Sequence, residues 1–120
     1  MNNARPKTIF CDIDGTLLKH QGNLSKISTS GPQLLDGTIE KLVEWDSKGY
    51  NIILVTGRRE SLRMQTEECL EKMGIFYDKL IMGLGGGTRV LINDLKPRSE
   101  SPTAVAINIP RNKGIKDVIL

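Results

Sequence analysis

A chain of 120 residues has the length of a single domain, 1–120, and can bury a real if modest core. Its 38% hydrophobic and 26% charged content is that of an ordinary globular protein. With no apolar run of membrane-spanning length and no signal-peptide pattern, the expected location is the cytoplasm, away from any membrane. A net charge of +3 favours anionic substrates weakly, and 4% aromatic content argues against a stacking platform for single strands, so a nucleic-acid partner is not expected.

Cys11 and Cys69 provide no disulfide framework and read as small buried apolar side chains. His20 is the single histidine, so no Cys/His zinc cluster is expected; it lies in a polar stretch and reads as solvated.

In chain order, residues 1–6 are polar and expected to fray. Lys7 to Ile13 reads as a buried strand, with Ile9, Phe10 and Ile13 as strand formers. Asp12 and Asp14 stand two residues apart at its carboxyl end, and extended geometry points them the same way before Gly15 allows a turn. In open α/β sheets ligands bind beyond the carboxyl ends of strands. Two neighbouring carboxylates repel unless a cation compensates. Magnesium suits such a site, since it takes one or two carboxylates plus substrate phosphate. One acid would then act as nucleophile and the other as proton donor and acceptor. The competing reading of the pair alone is a solvated, inert turn.

Leu17 to Leu35 is rich in Ser, Gly and Asn, with a short hairpin expected around Gln21-Gly22-Asn23; its length suits a flap and not a separate lid. A helix follows, with Leu35, Ile39, Leu42 and Val43 as its apolar stripe, Asp36 or Thr38 as cap and Gly49 as stop. Trp45 falls off that stripe and reads equally as packing on a loop or touching a ligand. Tyr50 to Arg58 is a second strand whose continuous apolar run signals burial on both faces, ending in Thr56-Gly57-Arg58. Arg58 reads either as a contact to a substrate anion or as a surface arginine. Glu60 to Met73 is a second helix with Leu62, Cys69, Leu70 and Met73 on one face and Gly74 as stop.

Lys79 to Met82 is a third strand. Gly85-Gly86-Gly87 forms a turn whose backbone N–H groups are either near a phosphate or merely beside the site. Val90-Leu91-Ile92 is a fourth strand ending in Asn93-Asp94. Pro97 to Pro102 is a connector, Thr103 to Ile109 a fifth strand, and Pro110 to Leu120 a basic tail read as solvated. Strands alternating with helices argue for an α/β protein, a parallel sheet with helices on both faces.

Asp12-Ile13-Asp14-Gly15-Thr16 resembles the Asp-x-Asp-Gly-Thr motif of the haloacid dehalogenase (HAD) superfamily. Thr56-Gly57-Arg58 resembles its second motif, and Asn93-Asp94 its fourth, often Asp-Asp. The resemblance implies a three-layer Rossmannoid fold of about five strands without a cap domain, and an Mg2+-dependent phosphatase working through an aspartyl phosphate. Asp12 would be the nucleophile and Asp14 the acid and base. Thr56 would hold the phosphoryl group together with backbone near Gly57, and Asp12, Asp14 and Asp94 would bind the metal. Lys79, Arg89 and Lys96 are candidates for the third-motif cation, with Arg89 favoured. Gly86, Gly87 and Arg58 are the further candidates for substrate contact, beside the plainer readings given above. A phosphorylated small molecule, such as a sugar phosphate, is the expected substrate, with nucleotide or nucleic-acid ends as the alternative, and a second subunit covers the open site or a bulky substrate enters it. Asn93 in place of an acid keeps open a binding-only domain, and a third reading is an enzyme completed by a partner chain.

Overall fold

The computed structural model describes residues 5–21, 31–98 and 102–120. Within them β1 (Thr8–Asp12), α1 (Thr38–Ser47), β2 (Asn51–Val55), α2 (Arg63–Lys72) and β3 (Lys79–Ile81) follow in order, with a short 3-10 turn at Glu60–Leu62 leading into α2. The three strands form one parallel sheet in the order β1-β2-β3. Cys11 pairs with Leu54 and Leu54 with Leu80, so these three side chains share a face, and all three are buried.

Both helices contribute to the cluster on that face, through Leu42 and Trp45 of α1 and Leu70 of α2. Two successive right-handed crossovers running the same way across a sheet deliver their helices to the same side. The opposite face keeps Phe10 54% exposed and Ile81 half-exposed. Among the described residues both helices thus lie on one face, and the helix layer expected on the other is not seen: covering that face takes a reversal of strand order, which the described strands do not contain.

The expected fourth and fifth strands are also absent among the described residues. Val90, Leu91 and Ile92 are exposed, Ile92 by 88%, and Val105 by 77%. These segments meet through side chains instead of a ladder. The Thr103 hydroxyl donates to the Asp94 carbonyl at 2.8 Å, and the Asn93 amide donates to Thr103 Oγ1 at 3.3 Å. An apolar triplet has strand propensity, but propensity expresses itself only against a partner edge.

The stops at Gly49 and Gly74 follow α1 and α2 as expected. The stripe of α1 differs: Thr38, Leu42 and Trp45 are buried, while Val43 faces out. Trp45 is thus a core residue. Asp36 and Thr38 do not cap the helix by side chain. Gly37 takes the N-cap position, and the Thr38 hydroxyl donates to the carbonyls of Leu17 and Leu35, at 2.8 and 3.0 Å.

The base of the expected flap is clasped. Leu18 bridges Leu34, Leu35 N–H donates to Leu17 O, and Lys19 N–H donates to Gln33 O. The hairpin expected at Gln21-Gly22-Asn23 lies, beyond Gln21, outside the described residues.

The basic tail is docked through its apolar residues, while Arg111, Lys113 and Lys116 stay exposed. Ile115 is 2% exposed and belongs to the core, with Val118 and Leu120 packed against it. The N–H groups of Ile115 and Lys116 both donate to Asp36 O, at 2.9 and 3.1 Å. This approach is close enough to require glycine on each side. A Cβ on Gly37 would stand 2.4 Å from Lys116 Cα, and one on Gly114 would stand 2.4 Å from Asp36 O. Both glycines also hold positive φ, +85° and +89°.

Candidate active site

Asp12 ends β1, and Asp14 lies on the turn beyond it. The turn is folded over the Ile13 carbonyl, which accepts the N–H groups of Thr16, Leu17 and Leu18. Burial alternates along it: Cys11, Ile13, Gly15 and Leu17 are buried, and Asp12, Asp14 and Thr16 are partly exposed. The apolar residues anchor the loop from below and present both acids on its accessible side, as the spacing implied.

Each acid faces an arginine. Arg89 Nη2 lies 3.8 Å from Asp12 Oδ1. Arg58 grips Asp14 with a fork, Nε donating to Oδ2 at 2.8 Å and Nη2 to Oδ1 at 2.7 Å. Its third nitrogen, Nη1, donates to Thr66 Oγ1 on α2 at 3.2 Å. Burial pushes the Asp12 carboxyl above its ordinary range, opposed by Arg89 and the Ile13 backbone N–H, with the charge of Asp14 raising it further and His20 lowering it. The Arg58 guanidinium is held more firmly protonated by its hydrogen bonds to Asp14.

Thr56 is buried beside the end of β2, and its hydroxyl accepts the Arg58 N–H at 3.1 Å. Its carbonyl accepts Leu84 N–H, while the Arg58 carbonyl accepts Gly83 N–H, which lays the glycine loop on the Thr-Gly-Arg turn. Gly57 is where they meet: a Cβ there would stand 2.6 Å from Gly85 O. Gly86 and Gly87 are exposed, with open space where a Cβ would stand.

Of the three cations considered for the third motif, Arg89 is the one paired with Asp12; Lys96 lies 3.8 Å from Asp94, and Lys79 begins β3. Asp94 sits on the exposed segment after Ile92 and is not brought to the two acids of the loop. The donors present suit magnesium in part. Asp12 offers a carboxylate and Asp14 a carbonyl, hard oxygens of the kind that ion takes. Among the described residues, no group of three His, Cys, Asp or Glu side chains is arranged to hold a metal ion.

Two positions carried no signal in the sequence reading. Asn112 Oδ1 accepts the His20 N–H at 2.7 Å while its own N–H donates to Gly15 O at 2.9 Å, stitching the tail to the acid-bearing loop. His20 is partly buried there. Arg111, next to Asn112, lays its stem over Gly15, with Cγ 3.3 Å from where a Cβ would be. Thr66 is the other: a polar residue facing inward on α2, recognisable only as a β-branched hydroxyl four residues before the core residue Leu70.

The sequence matches the model of the polynucleotide kinase PNKP phosphatase domain over residues 6–89. A chain of the Pnkp1/Rnl/Hen1 complex is 33% identical, with a TM-score of 0.57, over 74% of this chain and 32% of that one. A chain of the Pnkp1/Rnl/Hen1 RNA repair complex is 34% identical, with a TM-score of 0.55, over 68% and 27%. The chain therefore spans about a third or less of the length of these two relatives. A Vibrio cholerae crystal structure, 24% identical with a TM-score of 0.50, covers 73% of this chain and 79% of its own, and shares the fold. No curated protein matches the chain. Among the described residues no helix is long and apolar enough to cross a membrane. With its paired acids, its Thr-Gly-Arg turn and a family match over most of its length, the chain belongs to the PNKP phosphatase-domain family of HAD-type phosphatases.

Proposed function

We propose that the protein removes a terminal phosphate from a nucleic-acid end, in a magnesium-dependent reaction through an aspartyl phosphate on Asp12. The observation that carries this is the pair of acids on one loop, each facing its own arginine. The relatives' association with polynucleotide kinase and RNA repair supports nucleic acid over the sugar phosphate expected from sequence. It favours the nucleic-acid-end alternative over the expectation that nucleic acid is not a partner. A docked tail carrying Arg111 across Gly15 supports an anionic polymer extending past the reacting phosphate.

In this reading Asp12 attacks phosphorus in line, and the bond to the leaving oxygen breaks as that oxygen takes a proton from Asp14. Asp14 then accepts a proton from the water that releases phosphate from Asp12. The hydroxyl of Thr56 and the backbone N–H groups of the Thr-Gly-Arg turn bind the phosphoryl oxygens. Arg89 balances charge around Asp12. Magnesium would be held by the Asp12 carboxylate and the Asp14 carbonyl; Asp94, the third ligand expected from sequence, stands apart from them. When bound, it neutralises the approach of an anionic nucleophile to an anionic ester.

Phosphate release is to be measured with RNA and DNA oligonucleotides carrying a 3′- or 5′-phosphate and with sugar phosphates, with and without magnesium. Turnover on an oligonucleotide end, abolished by EDTA and by Asp12→Asn, is the expected result. Preference for the sugar phosphates would return the substrate to the small-molecule class. Turnover that survives Asp12→Asn would remove Asp12 as the nucleophile.

A further inference from the structure

The face of α2 that meets the core carries a threonine where packing alone favours an apolar residue. Thr66 is 1% exposed and sits one turn before Leu70, which is fully buried. A β-branched hydroxyl inside a helix gains nothing in helical propensity over alanine or leucine. What it provides is an oxygen, and that oxygen accepts the one Arg58 nitrogen not used on Asp14.

A guanidinium is planar, and its Nε–Nη2 edge matches a carboxylate only when the plane is turned correctly. The bond between Nη1 and Thr66 holds the opposite side of that plane. A second restraint comes from the arginine's own backbone, whose N–H donates to Thr56 Oγ1. The Arg58 and Asp14 side chains are each about 30% exposed. Without the outer anchor, the arginine is free to exchange its fork for water and to let the carboxylate rotate.

We infer that Thr66 is a positioning residue for the phosphatase reaction: from α2 its hydroxyl fixes the Arg58 fork and thereby the orientation of the Asp14 carboxylate. Thr66 touches neither acid. The inference rests on the proposed role of Asp14 in moving protons at the leaving and attacking oxygens.

The test compares Thr66→Val, which keeps the shape and removes the hydroxyl, with Thr66→Ser, which keeps the hydroxyl. Both are made in the full chain and assayed on a phosphate-terminated RNA oligonucleotide with magnesium. Thr66→Val is expected to lower kcat about tenfold with KM unchanged, the rate equivalent of one hydrogen bond, and Thr66→Ser to restore it. The Nε–H signal of Arg58 in 15N NMR, expected to be sharp and slow to exchange in the wild type and in Thr66→Ser, is expected to broaden in Thr66→Val. A Thr66→Val protein with wild-type kcat and an unchanged Arg58 signal overturns the inference, as does a fall in kcat that Thr66→Ser fails to rescue. Should Thr66→Val fail to fold by circular dichroism, Thr66→Ala is judged by the same two readouts. If the wild type releases no phosphate from any ester, the functional reading has failed by itself. The Arg58 signal then decides alone: a sharp signal without the hydroxyl overturns the anchoring, and a broadened one supports it.

Discussion

At the scale of single residues, the site depends on two arginines used differently. Arg89 stands off from Asp12 at 3.8 Å, whereas Arg58 holds Asp14 by two short parallel bonds. Lysine cannot reproduce a bidentate fork, so Arg58→Lys is expected to lower kcat by at least about tenfold although the charge is kept; steady-state kinetics checks this. Cys11, next to Asp12, gives a pH-dependent prediction. Burial, with the Asp12 charge adding, pushes its thiol from 9.0 up to about 12. The unfolded chain therefore releases this proton near pH 9 and the folded chain does not. Its contribution to stability is complete below pH 9 and falls as pH rises toward 12, by up to about 1.4 kcal/mol per pH unit. Urea unfolding between pH 8 and 10.5 should show a steeper loss for the wild type than for Cys11→Ala. The same thiol should resist iodoacetamide at pH 8 in the folded protein, where burial also blocks access.

At the scale of elements, the residues readable from sequence were those whose surroundings are local. The run ending at Val55 and the glycines after α1 and α2 carry their own signals, and the strands and stops are found there. Asp12 and Asp14 share a side because alternation along a chain needs no distant partner. Val90 to Ile92 looks like a strand for the same local reasons, yet a strand needs an edge to pair with, and no local pattern reports that. Trp45 falls off a stripe counted from Leu35, which lies outside α1; counted from Thr38 it falls on the buried face. The tail carries no local sign of docking because its anchor, the Asp36 carbonyl, is distant in sequence. That anchor makes two glycines unequal. Gly114→Ala drives a Cβ to within 2.4 Å of Asp36 O at a positive φ and should cost on the order of 3 kcal/mol. Gly49→Ala meets nothing within 4 Å and should cost about 1 kcal/mol, for its positive φ alone. Urea denaturation of the two variants side by side distinguishes them.

At the scale of the whole molecule, one face of a three-stranded sheet carries both helices and the core, and the tail completes that core from far along the chain. Ile115→Ala should therefore destabilise the entire fold by about 3 kcal/mol, as a buried residue of the central cluster would, and calorimetry should register a single lowered transition. The hydrogen bond from Asn112 to Gly15 carries a consequence in time as well as in space. A chain is made from its N-terminus at about 5–20 residues per second, so on the ribosome β1 to β3 emerge a few seconds before Asn112 and Ile115. Through that interval the strands and helices can pair, while the core lacks Ile115 and the loop bearing Asp12 and Asp14 lacks its outer stitch. Strand pairing and the completion of core and loop are thus separated in the life of each molecule: the sheet can pair during synthesis, and the tail closes the core and stitches the acid-bearing loop together when it arrives.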